Sequence, residues 1–208
     1  PTYEEMKKSL SKMIATKKYP LLDTHFNNVF VTETTVQFNA GHIHKIDGTN
    51  AQMLSNGAIR GRKIAEEAVR ALRETYPDAF GKSSLTSTAS LIGIREGRRI
   101  KGDYTLTIDD WKEKRTFKDE IGRNCYYIDV HKKKISVPRY QKGESHGIPY
   151  RPLTPKGLKN MLTPGRCISS VHWVYGSIRV MPSCLVTGEE TGMAAEHATK
   201  MSSPDVHN

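Results

Sequence analysis

Apolar residues recur at helical spacing at Met6, Leu10, Met13 and Ile14, and Tyr19-Pro20 stops the run. Thr2 followed by Glu5 is a capping-box pattern, so a short amphipathic helix is expected there. Across residues 29–46 the period shortens to two: Val29 and Val31, then Val36 and Phe38, alternate with polar residues around a polar turn at residues 32–34. That predicts two strands in a hairpin. Residues 43–48 extend it with a third piece that leaves through the Asp47-Gly48 turn. A second helix, capped by Ser55 or Asn56, carries Ile64, Ala65, Ala68, Val69, Leu72 and Tyr76 on one face and ends at Pro77.

Residues 91–95 and 99–106 read as strands around Glu96-Gly97, Thr107 and Asp110 cap a short helix holding Trp111, and residues 125–131 read as a further strand. The proline- and glycine-bearing stretch 132–156 predicts irregular chain. Beyond it, Asn160-Met161-Leu162 reads as a short buried strand running into Gly165-Arg166. A loop then leads to Gly176-Ser177, and residues 178–200 read as one helix with small residues on one face. No internal repeat is visible.

Composition narrows the class. The 208 residues, 26% charged and 37% hydrophobic, suit a globular chain with one large or two small cores. No run of about 18 apolar residues occurs, and the opening residues lack a signal-peptide pattern, so a soluble, cytoplasmic protein is expected. Cys125, Cys167 and Cys184 are odd in number and lack C-x-x-C spacing, which argues against disulfides and cysteine zinc sites. His42-x-His44 has no third ligand nearby, so no metal is expected. The net charge of +10 raises a basic module for nucleic acid or another anionic polymer as an alternative. Its basic groups are short, scattered and often beside acids, which suits solvated faces or sites for a small anionic ligand at least as well.

A glycine-bearing turn into a helix, here residues 176–179, is a place where free N–H groups and the helix dipole converge on an electron-rich group. The run PGRCISSVHWVYGSIRVMPSCLVTGEETGMAAEHA resembles the C-terminal half of FAD-dependent oxidoreductases of the xanthan-lyase-related family, within the glutathione-reductase-type flavoproteins. The resemblance extends through SLIGIREGRRIKGDYTLTIDDW, IGRNCYYIDVH, GIPYRPLTPKGLKNML and FNAGHIHKIDGTNAQMLSNGAIRGRKIAEEAVRALRE, and so covers nearly the whole chain. It implies an α+β fold: a substrate-domain β-sheet with flanking helices over residues 1–157, and over residues 158–208 the C-terminal strand, loop and helix that complete an FAD/NAD(P)-binding, Rossmann-like domain. It implies FAD as cofactor, with Gly165 and Arg166 beside the ribityl and phosphate region and Gly176, Ser177, Ile178, Arg179 and Val180 beside the flavin ring.

Several positions depart from the family pattern. No G-x-G-x-x-G fingerprint for the ADP half of FAD occurs. The chain therefore reads as a piece, with a dinucleotide-binding half as partner on a second chain or elsewhere in the same polypeptide. Thr163-Pro164 stands where the family has two small apolar residues, and Glu189-Glu190 where Gln and Ala are usual. The substrate implied is a small hydroxylated molecule, a carbohydrate by first preference. Oxidising it requires a base for the hydroxyl proton, and His131 and His172 are the candidates, with Asp129 beside His131 on one strand face. Arg95 and Arg98 are candidate substrate anchors, in a segment that also carries Glu96 and Arg99.

Overall fold

The computed structural model of the chain describes residues 3–19, 21, 26–130, 139–202 and 204–207. Its contacts divide it into two units, residues 1–94 and 95–208, and the boundary drawn from sequence at 157/158 falls inside the second.

In the first unit α1 (Tyr3–Ala15) turns Met6 and Leu10 inward, as the spacing predicts; Thr2, its expected cap, lies outside the described residues. Strands β1 (Phe26–Phe30) and β2 (Val36–Ala40) pair antiparallel with Phe26 opposite Ala40 and Phe30 opposite Val36. The hairpin forms where expected, but its inward residues are Phe26 and Phe38, and Val29 and Val31 are exposed. Residues 43–48 form no strand, although the Asp47 turn does form, with Asp47 accepting from the Thr49 backbone N–H at 2.9 Å.

That turn sets the start of α2 (Ala51–Thr75), five residues earlier than the sequence suggested. Asn50 is the cap, its side chain accepting from the Met53 N–H at 3.0 Å. Gly57 is buried in α2 because the Ile46 and Ile92 side chains lie 3.4 Å from where a Cβ would stand. The core joins Met6, Leu10, Leu21 and Phe26 to Ile64, Ala71 and Leu72. Pro77 ends α2 as expected and opens a four-residue turn of helix, α3 (Pro77–Phe80).

The second unit opens with residues 95–106, where the expected strands do not form; among the described residues their bridges are Gly102 to Pro155 and Leu106 to Ser170. The backbone facing them is broken by prolines and by short 3-10 turns at Arg151–Leu153 and Gly165–Cys167, so no ladder can propagate. Helix α4 (Ile108–Lys112) carries the predicted capping box between Thr107 and Asp110. Strand β3 (Glu120–Asn124) pairs antiparallel with β4 (His146–Pro149), so the strand expected at residues 125–131 lies one stretch upstream. Residues 160–162 form no strand, and Asn160 and Met161 are exposed.

The helix expected over residues 178–200 forms as α6 (Met181–Thr199), and the stretch before it, expected as a loop, holds a further helix, α5 (His172–Ile178), the two separated at Arg179-Val180. Pro182 in the first turn of α6 explains the restart, since proline suits a helix start and disfavours helical backbone in the residue before it. The core gathers Leu106, Trp111, Ile148, Leu153, Ile168, Val174 and Ile178. The architecture is α+β, with two separate two-stranded sheets among the described residues.

Candidate active site

Helix α5 packs against residues 124–130, and its side chains satisfy backbone groups that a neighbouring strand would otherwise take. Ser177 Oγ donates to the Tyr126 carbonyl and accepts from Asn124 Nδ2, both at 2.6 Å. The Arg179 guanidinium donates to the carbonyls of Asp129 at 2.6 Å and Arg95 at 3.3 Å. Gly176 permits this approach, because a Cβ there would stand 2.7 Å from Val130 Cγ2 and 3.2 Å from the Asp129 carbonyl oxygen. The Tyr126 and Asp129 carbonyls are thus satisfied without a ladder.

His172 and Tyr175, three residues apart, share one face of α5. The Glu96 carboxylate lies 2.7 Å from His172 Nδ1. A carboxylate only accepts, which places an imidazole proton on Nδ1; in the neutral ring Nε2 is then an acceptor. Nε2 is buried and has no hydrogen-bond partner among the described residues. The same Glu96 oxygen accepts from Arg99 at 3.0 Å. Partial burial pushes the Glu96 carboxyl up, but its hydrogen bonds from Arg99 and His172 outweigh that and hold it below the usual range.

Tyr175 is fully buried, with Arg99 4.8 Å and Arg179 5.7 Å from its ring centroid. The Gly97 backbone adjoins the phenol without making a hydrogen bond of ordinary geometry, so the hydroxyl is also unpartnered among the described residues. Burial pushes the phenol up more than the neighbouring arginines pull it down, which keeps it protonated. Two other buried atoms lack partners, Ser170 Oγ and His146 Nε2.

The structure brings together four of the residues singled out from sequence. Asp129 pairs with Arg95 and lies 4.0 Å from Arg179, while His172 is held through Glu96 on the same 95–99 loop. Arg98 is exposed on that loop, and His131 lies outside the described residues. Gly165 opens the 3-10 turn at φ +69°, its N–H donating to Thr187 Oγ1 at 3.0 Å, and Arg166 after it is exposed. Gly176 and Ser177 sit in the C-terminal half of α5, not at a helix start, so the dipole they meet has the opposite sign to the one expected. With Ile178 they are buried in the unit's interior. Helix α6, capped by Val180, starts without a side-chain cap, as does α5 at Val171, so each leaves N–H groups of its first turn to spare.

Tyr175 was missed because its segment read as a loop; the i, i+3 spacing from His172 was the available signal. The partnership of Glu96 with His172, 76 positions apart, has no local signature. Among the described residues no group of three His, Cys, Asp or Glu is placed to hold a metal ion, and His42 and His44 stack with ring centroids 6.2 Å apart.

A sequence model described as FAD dependent oxidoreductase matches residues 2–207. The chain belongs to this family, its activity is FAD-dependent oxidoreduction, and its cofactor is FAD. Comparison with curated proteins and with solved structures gave no match. Against FAD, the residues divide: Arg166 is exposed and Gly165, Arg179, Val180 and the start of α6 reach the surface at least in part, whereas Gly176, Ser177 and Ile178 present no surface to a ligand. No helix among the described residues is long and apolar enough to cross a membrane.

Proposed function

We propose that this chain forms the substrate side of a flavin site that oxidises a hydroxylated small molecule, a carbohydrate or other polyol by first preference, and that His172 takes the hydroxyl proton. The observation that carries it is the setting of the imidazole: Nδ1 is tied to Glu96, and Nε2 is buried with no hydrogen-bond partner among the described residues. That is the arrangement of an oriented general base. Bound FAD would supply the two-electron acceptor. Asp129 is engaged by Arg95 and Arg179 and holds the 95–99 loop to residues 129–130, so its part is positioning. Arg98, exposed on the loop, is the substrate anchor.

The flavin wall in this reading is Gly165, Arg166, Arg179, Val180 and the first turn of α6, completing a Rossmann-like domain whose ADP-binding half is a partner. The exposed apolar residues of α6 support such a partner: Met181 is 81% exposed, Leu185 and Met193 are exposed beyond it, and a Cβ at Gly188 or Gly192 would meet nothing within 4 Å. Anaerobic mixing of the flavin-loaded enzyme with glycerol, D-glucose and methyl glucosides tests the function. Bleaching of the oxidised flavin band by members of this panel is expected; bleaching by amines or thiols alone would overturn the substrate class.

A further inference from the structure

Tyr175 carries a buried hydroxyl to which neither the sequence nor the family resemblance gives a role. A buried hydroxyl without a partner is costly, and folded chains keep such groups where a ligand satisfies them. His172 Nε2, on the same face of α5, is in the same position with the opposite polarity. We propose that Tyr175 and His172 form a donor–acceptor pair that binds the substrate's reacting hydroxyl, the phenol O–H donating to the oxygen and Nε2 accepting its proton.

The pair selects by chemistry. A carbonyl oxygen can only accept and an ammonium group can only donate, so each leaves one member unsatisfied; a carbinol oxygen does both. In the reaction the hydroxyl O–H bond breaks and its proton passes to His172 Nε2. Bound FAD would supply the two-electron acceptor for the carbinol hydrogen and its electron pair, leaving the carbon–oxygen bond double. The Tyr175 proton stays on the phenol throughout, its hydrogen bond following the oxygen from alcohol to ketone or aldehyde, and burial favours that neutral form. Glu96 acts through His172 as a positioning residue, and Arg99 links the two halves, pairing with Glu96 and lying against the Tyr175 ring. The Gly97 backbone beside the phenol belongs to a loop outside any helix or strand, the kind of segment that opens locally at low cost.

This inference rests on the reading of His172 as the base, and two variants separate the two claims. Tyr175→Phe removes a hydroxyl that makes no internal hydrogen bond, so the thermal unfolding midpoint should be unchanged or higher, while anaerobic flavin reduction by the best polyol of the panel should slow about 100-fold, as on loss of one donor to a reacting oxygen. A lowered midpoint with an unchanged rate would make Tyr175 a structural residue and overturn the pair. If His172→Gln slows reduction and Tyr175→Phe does not, the pair fails and the base survives. If neither variant slows it, both fail.

Discussion

The Arg179 guanidinium donates to the Asp129 backbone carbonyl at 2.6 Å and lies 4.0 Å from the Asp129 carboxylate, so one side chain at the end of α5 fixes the strandless segment beside it. The guanidinium is 11% exposed and also binds the Arg95 carbonyl. Removing it strands two carbonyls and leaves Asp129 with one arginine fewer.

Arg179→Ala should therefore destabilise the second unit by about 2–4 kcal/mol. Trp111 and Trp173 both belong to that unit, so urea unfolding followed by tryptophan fluorescence reports it selectively. A change below about 0.5 kcal/mol would show that the carbonyls find other partners.

Gly176 and Gly188 should respond oppositely to alanine. At Gly176 the new methyl meets Val130 and the Asp129 carbonyl, and about 1–3 kcal/mol of destabilisation is expected. At Gly188, inside α6 with open space around it, alanine should stabilise this chain on its own by up to about 1 kcal/mol. The same denaturation measurement checks both. Equal effects would mean that Gly176 is not packed as described.

His146 makes stability depend on pH. It is fully buried, with Nδ1 3.0 Å from the Tyr140 hydroxyl, and burial lowers its pKa from 6.5 to about 4. Above pH 6.5 both folded and unfolded chains hold it neutral and its contribution is constant. As pH falls from 6.5 to about 4 the unfolded chain takes up the proton first, so stability is lost across that window, by about 3 kcal/mol in all. Unfolding free energies at a series of pH values should show this slope, and His146→Gln should flatten it. An unchanged slope in the variant would assign the acid sensitivity to other groups.

What was legible in the sequence is what local chemistry decides. The Met6 and Leu10 spacing, the hairpin, the Ile64 to Leu72 stripe of α2 and the Thr107–Asp110 capping box all form, because each depends on residues a few positions apart. The isoleucine-rich stretch 91–106 misled because an extended segment becomes a strand only where another backbone pairs with it, and prolines deny it one. Gly176 looked like a turn; its role is close packing on residues 129–130, which no local pattern announces. Chemistry alone was enough to name His131 and His172 as candidate bases, but the contact of His172 with Glu96 and the buried state of Tyr175 exist only in three dimensions.

The most direct test of the account is the rate of anaerobic flavin reduction in the loaded enzyme, compared with His172→Gln. The variant should be slower by about 10²–10⁴-fold, the usual contribution of a positioned base. A His172→Gln enzyme that reduces its flavin at the parent rate would contradict the assignment of His172 as the base.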